Sequence, residues 1–185
     1  MRKLTHNEIK SKRFSKDQLS SSATDGSVNR LPVYVLLDNI RSNYNVGSIF
    51  RSSDGARIQK LFLTGYTPYP PRKEIEKTAL GAIETVPWEY YKDPVEALRR
   101  LQSSGVKICV LEQTTGSIAY DELKASDFPL CLVVGNEITG VSPAIVEIAD
   151  MAVEIPMQGF KQSLNVAVAY GIAIFEIARK LRTCK

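Results

Sequence analysis

One histidine serves the whole chain of 185 residues, and that one, His6, lies near the start rather than among the segments that pattern as folded. The scarcity removes the imidazole base on which Ser-His and Cys-His nucleophiles depend. Cysteine is almost as sparse. Cys109, Cys131 and Cys184 show no CxxC spacing, so the reading is reduced thiols, a cytoplasmic setting and no structural zinc or other metal. No apolar run approaches the roughly 20 residues that span a bilayer, which sets aside a membrane partner. The first thirty residues have no apolar core of the signal-peptide type. Neither GxGxxG after a strand nor a Walker loop occurs, so dinucleotide and nucleoside-triphosphate sites lose their usual support.

Charge is present but unevenly placed. Residues 1–30 hold seven Lys or Arg against Glu8, Asp17 and Asp25, an excess equal to the net charge of +4 for the entire chain. With the serines Ser20 to Ser22 and few apolar side chains, this segment reads as a mobile or loosely docked basic arm. An arm of this kind either grips an anionic polymer or is simply solvated.

From Pro32 onward strand and helix patterns alternate. Strands are expected at Val33–Leu37, Lys60–Thr64, Thr85–Trp88, Val106–Leu111, Leu130–Val134 and Ala152–Ile155, and helices at Asn45–Ala56, Arg72–Leu80, Pro94–Ser103 and Ser142–Ile148, with a last helix capped by Ser163. The strands are nearly unbroken Val, Ile and Leu runs, as in a parallel sheet covered on both faces. The fold class is therefore α/β, a mostly parallel sheet with helices on both faces, in one domain over residues 31–185. The last helix is apolar from Val166 to Phe175 except for Tyr170, which requires burial in a core or an interface. Asn165 at its mouth either caps the helix or presents its amide to a ligand.

Ligands of parallel sheets bind beyond the carboxyl ends of the strands. Three loops there stand out: Asp38 to Arg51, Gly135 to Ser142, and the turn leading into Ser163, Leu164 and Asn165. If Asn45 caps its helix, Arg51 follows Gly47 by one turn and its guanidinium passes over the space the glycine leaves. A phosphate beside Asn45, Ser48 and Arg51 is one reading, and a surface arginine on an amphipathic helix is the other. Glu137 is likewise either a solvated loop carboxylate or an acceptor within the site.

Together the segments Asn45-x-Gly47-x-x-x-Arg51, VVGNEITGVS and IPMQG followed by SLNVAVA resemble the three ordered motifs of the SpoU family of RNA ribose 2′-O-methyltransferases, within the SPOUT superfamily. The resemblance covers residues 33 to 182. It implies a sheet whose C-terminal part is threaded into a deep trefoil knot, a homodimer, S-adenosylmethionine held in the knot, and tRNA or rRNA as partner. By the same resemblance, backbone groups around Gly135, Ile155 and Leu164 hold the cofactor. Asn45, Arg51, Glu137, Ser163 and Asn165 match the catalytic and substrate-positioning residues. Two other classes stay open on the sequence. A non-catalytic RNA-binding protein would not need Asn45, Arg51, Glu137 and Asn165 together, and a small-molecule methyltransferase would not need an RNA-length basic surface.

Overall fold

The computed structural model describes residues 1–19 and 30–183. Seven strands, all parallel, form one sheet: β1 (Val33–Asp38), β2 (Lys60–Thr64), β3 (Trp88–Tyr91), β4 (Lys107–Leu111), β5 (Ile118–Ala119), β6 (Leu130–Val134) and β7 (Met151–Glu154), in the order β3-β2-β1-β6-β4-β7-β5. The central strands read as continuous apolar runs because both of their faces are covered. Val33, Val35, Leu37, Leu61, Leu63, Leu132 and Val134 feed one core cluster, while Leu36, Phe62, Ile108, Val110, Cys131 and Val133 feed the other. Alternate residues of a strand thus face opposite helical layers. Cys109 and Cys131 fall on opposite faces, both as free thiols, and burial pushes the Cys109 thiol up to about 12. Cys184 lies outside the described residues.

Helices among the described residues include α1 (His6–Lys10), α2 (Asn43–Ala56), α3 (Lys73–Ala79), α4 (Pro94–Ser103), α5 (Pro143–Ile148) and α6 (Val166–Thr183). Residues of α2, α3 and α6 belong to the first cluster, and those of α4 and α5 to the second. Phe50 of α2 is fully buried and meets Trp88 edge-on at 6.3 Å between ring centroids. Tyr170 of α6 is buried too, and its hydroxyl is 2.7 Å from Ser53 Oγ of α2. That pairing satisfies the one polar group in the apolar run of α6, while burial pushes the phenol pKa up. Among the described residues no helix is long and apolar enough to cross a membrane.

Several boundaries differ from expectation for local reasons. Ser42, not Asn45, caps α2: its hydroxyl accepts from the Asn45 N–H at 3.3 Å, so the helix starts two residues earlier and leaves the Asn45 side chain for other contacts. Ser163 does not cap α6. Asn165 does so, its Oδ1 accepting from Ala167 N at 2.9 Å and Val168 N at 3.4 Å. The third strand runs over Trp88–Tyr91 rather than Thr85–Trp88, because Ala82–Glu84 form a turn of 3-10 helix and the Thr85 hydroxyl is engaged by Ala82 O and Asp54. β5, two residues long, is too short to leave a sequence pattern.

The described part of the basic arm touches the amino-terminal edge of the sheet, away from the carboxyl ends of the strands. Arg57 stacks on Phe14 at 5.0 Å, Lys16 pairs with Glu84, Leu19 is buried, and Arg30 donates to Leu19 O and Thr85 O, each at 2.9 Å. The serines Ser20 to Ser22 lie outside the described residues.

Gly47 marks where α2 and α3 come closest. A Cβ built there would lie 2.0 Å from Thr78 Oγ1 and 2.4 Å from the Ile75 carbonyl oxygen. The threonine can rotate, but the carbonyl belongs to a helix backbone and must shift with it. Gly47→Ala should therefore destabilise the protein by about 1 to 3 kcal/mol, read as a Tm lowered by roughly 5 °C in thermal unfolding. An unchanged Tm would show that α3 yields at no cost.

Candidate active site

A cleft of about 430 Å³ opens at the carboxyl ends of β4, β6 and β7, on the side of the sheet where α6 begins. Its walls come from Leu111 to Gln113, Val134 to Val141, Glu154 to Met157, and Ser163 to Ala169, with some residues of the last two stretches set back from it. Gly135, Glu137, Ile155, Ser163 and Leu164, five of the eight expected site residues, line it. Its lining includes three glutamates, Glu112, Glu137 and Glu154, and no Lys, Arg or His. Such a wall attracts a cation and repels a polyphosphate.

The wall after β6 is rigid for reasons visible in its residues. At Gly135 a Cβ would lie 2.2 Å from the backbone of Gly140 and Val141, so only glycine lets the loop close on itself. Asn136 and Gly140 exchange backbone hydrogen bonds at 3.0 Å. The Asn136 side chain accepts from Ile138 N at 2.8 Å and Thr139 N at 3.1 Å while donating to Asn39 O and Tyr66 Oη, both at 2.7 Å. Asp38, buried at the end of β1, accepts from Ser142 N at 2.7 Å and ties the same loop to the first strand.

Glu137 connects this loop to α2. Its carboxylate accepts from Arg41 N at 2.9 Å, Ser42 N at 3.1 Å and Asn45 Nδ2 at 2.8 Å. These are donors at a helix start, where negative charge is favoured. Asn45 Oδ1 in turn accepts from Asn165 Nδ2 at 3.1 Å, so a continuous polar chain runs from the β6 loop through α2 to the mouth of α6. Burial alone would raise the Glu137 pKa. The hydrogen bonds from Arg41, Asn45, its own N–H and Ser42 outweigh that effect and hold the carboxyl below the usual glutamate range.

Arg51 does not join this cluster. The space over Gly47 is filled by α3, as the contacts with Ile75 and Thr78 show, so the guanidinium cannot pass there. The side chain is exposed on α2, six residues and roughly 9 Å of helix axis beyond Asn45. It makes no hydrogen bond or ion pair among the described residues.

Two pairs of contributors escaped the sequence reading. Glu112 and Gln113 follow β4. Glu112 accepts from Gln113 N at 2.9 Å and Val141 N at 3.0 Å, while the Gln113 amide donates to Gln162 O at 2.6 Å across the cleft mouth. The rule that singles out loops after carboxyl ends applies to this loop as well. Asn39, with φ of 55°, and Tyr66 support the β6 loop from the β1 side, and nothing in their spacing announces it.

Comparison with known proteins gives a consistent answer. Residues 32–175 match the SpoU rRNA Methylase family. A tRNA (guanosine(18)-2′-O)-methyltransferase of Aquifex aeolicus is 37% identical over 79% of this chain and 68% of its own length. A 23S rRNA (guanosine-2′-O-)-methyltransferase of Shewanella oneidensis is 34% identical over 83% of this chain, which spans 61% of that relative. Among solved structures, an A. aeolicus TrmH/SpoU tRNA modifying enzyme superposes with a TM-score of 0.79 at 32% identity, over 91% of this chain and 83% of that one. An AdoMet-bound rRNA methyltransferase from Sinorhizobium meliloti superposes with a TM-score of 0.76 at 28% identity, over 91% of this chain and 62% of that one. This chain thus spans about three-fifths of the length of several of these proteins.

The lowered pKa of Glu137 gives its contacts a pH signature. A carboxyl held low in the folded state adds stability above its unfolded pKa of about 4.3, and the contribution fades as pH falls through the folded value. Glu137→Gln should cost about 1 kcal/mol near neutral pH, a modest figure because the group is exposed. Denaturant unfolding of parent and variant should converge as pH is lowered from 6 towards 3. A gap that stays constant over that range would mean that the charge does not hold α2.

Proposed function

The chain belongs to the SpoU rRNA Methylase family, and on that premise we propose that it transfers a methyl group from S-adenosylmethionine to a ribose 2′-hydroxyl, that of a guanosine in tRNA or rRNA. The observation that carries the reading is the polar chain Glu137–Asn45–Asn165 along the rim of a cleft lined by glutamates. The relatives named for guanosine 2′-O-methylation, one on tRNA and one on 23S rRNA, supply the substrate class.

The residues present fit the cofactor. The volume lies within the usual range of small-molecule pockets, roughly 300 to 1,000 Å³. Leu111, Val134, Ile155, Met157 and Leu164 offer apolar wall for a purine, and the glutamates suit a cation. When bound, S-adenosylmethionine supplies a methyl group activated by a positively charged sulfur. Backbone groups around Gly135, Ile155 and Leu164 hold it. Asn165 has its Oδ1 committed to the helix cap, so its Nδ2 is the atom left to act at the rim, where Asn45 Oδ1 orients it. Glu137 fixes Asn45 in turn. Ser163 is exposed at the cleft wall, and we assign it to the target ribose.

Arg51 is a poor base, since an arginine in a protein stays protonated. Its exposed guanidinium, without a partner among the described residues, suits a substrate phosphate instead, and we assign it to placing the target nucleotide and stabilising charge on the attacking oxygen. The hydroxyl proton then leaves to phosphate or water.

The reading includes a homodimer, a trefoil knot over the C-terminal strands and a cytoplasmic setting. Val168, Ile172 and Phe175 form an exposed apolar stripe along α6, 37 to 50% accessible, and a Cβ at Gly171 beside them would meet nothing within 4 Å. A second copy of the chain would cover that stripe and bring its own residues to the cleft. We also assign residues 1–30 to a basic amino-terminal arm and residues 31–185 to the methyltransferase domain.

The direct test is calorimetric titration with S-adenosylmethionine, followed by mass-spectrometric mapping of ribose methyl groups in RNA incubated with enzyme and cofactor. Saturable binding and new 2′-O-methyl sites are expected, and absence of both would end the proposal. Arg51→Ala should slow single-turnover transfer about 100- to 1,000-fold while leaving cofactor affinity unchanged. Arg51→Lys should restore little, because the planar fork is lost. A parental rate in Arg51→Ala would remove its assigned role. Gly171→Trp should shift sedimentation from dimer to monomer and lower activity in parallel, and an active monomer would contradict the shared site.

A further inference from the structure

The loop after β2, and β3 itself, carry tyrosines that do not line the cleft. Tyr66 is 62% exposed, Tyr69 43% and Tyr90 38%. The rings of Tyr69 and Tyr90 lie 4.6 Å apart between centroids and are tilted by 40°. Their surroundings are fixed in advance. The Tyr90 hydroxyl donates to Gly65 O at 2.7 Å, Gly65 N donates to Tyr91 O at 3.1 Å, and Tyr66 N donates to Asn39 Oδ1 at 3.1 Å. Thr67, buried between Tyr66 and Tyr69, accepts from Ile40 N at 3.0 Å and donates to Leu37 O at 3.1 Å.

The cluster is joined to the cleft. Tyr66 Oη accepts from Asn136 Nδ2 at 2.7 Å, and Asn136 lines the cleft wall. Positive charge stands nearby in sequence and along the same sheet end: Arg41 precedes α2, and Arg72 and Lys73 follow Tyr69 at the start of α3. All three are exposed, and their side chains make no hydrogen bond or ion pair among the described residues.

The electrostatics of the cleft make an outside grip necessary. A wall with three glutamates and no cation cannot itself hold a polyanion. We propose that Tyr66, Tyr69 and Tyr90 form a stacking platform for unpaired bases flanking the target nucleotide of the RNA, with Arg41, Arg72 and Lys73 taking the adjoining phosphates. The proposal rests on the reading of the cleft as an RNA methyl-transfer site. Stacking suits this place because every base offers a π-face and unpaired nucleotides can be splayed onto aromatic side chains.

The test uses the full chain, a labelled unstructured RNA of twelve nucleotides, and an abasic strand with the same sugar-phosphate backbone. The parent should bind the base-bearing strand about 10-fold or more tighter than the abasic one. Tyr69→Ala and Tyr90→Ala should each lose about 10-fold on the base-bearing strand and little on the abasic one, with an unchanged salt slope. Tyr69→Phe, which keeps the ring, should bind like the parent. Arg72→Ala should weaken both strands and flatten the salt slope by about 0.7. Parental affinity in both alanine variants, or an equal loss on the abasic strand, would overturn the platform. A changed sedimentation coefficient with unchanged RNA binding would also overturn it, by showing that the tyrosines meet another copy of the chain. S-adenosylmethionine titrated into the same preparations separates the two claims. Its failure to bind the parent sinks the reading of the cleft, and the paired RNA strands still judge the platform.

Discussion

The join between the β6 loop, α2 and the mouth of α6 depends on what the Glu137 carboxylate accepts. Two backbone N–H groups at the start of α2 and the Asn45 amide converge on it, and Asn45 passes the constraint on to Asn165. Three loops far apart in sequence thereby share one geometry. A helix start has free donors that must find partners, and here a carboxylate from another loop supplies them. Removing that charge leaves those donors to water and releases Asn45 from its orientation. Asn165 then keeps its cap on α6 but loses the neighbour that aims its amide.

Charge is divided by task over the same surface. Glutamates line the cleft, while Arg41, Arg51, Arg72 and Lys73 stand exposed outside its lining. A cationic donor and a polyanionic acceptor are bound best by surfaces of opposite sign set side by side. On the proposed reading the two meet at one atom, and the neutral amides of Asn45 and Asn165 would stand at the boundary. Amides there would orient both partners without favouring the charge of either. The proposed tyrosine platform follows the same logic, since a ring stacks on bases whatever their sequence.

Much of this was legible in the sequence because it rests on short-range rules. Apolar runs mark the strands, and the carboxyl ends of those expected at Leu130–Val134 and Ala152–Ile155 locate two of the loops that build the cleft, those after β6 and β7. The helix starts were misplaced because Ser42 and Asn45, or Ser163 and Asn165, are all good caps by type, and only tertiary contacts select between them. Leu164 lines the cleft, and α6 begins at Val166. Arg51 was set over Gly47 by helical geometry alone, which cannot know that another helix fills the gap. Glu112 and Gln113 were within reach of the same carboxyl-end rule. The Asn39 and Tyr66 support of Asn136 was not, because it joins residues 97 and 70 positions apart.

The central claim is that Asn45 and Asn165 act as one unit in aligning cofactor and ribose. A double-mutant cycle on single-turnover methyl transfer measures it directly, with Asn45→Ala, Asn165→Ala and the pair compared with the parent. Coupled residues give a double variant hardly slower than the slower single one, with an interaction energy of about 1 kcal/mol or more. If the two losses multiply as independent effects, the hydrogen bond between them does not organise the reaction, and the account built on it fails.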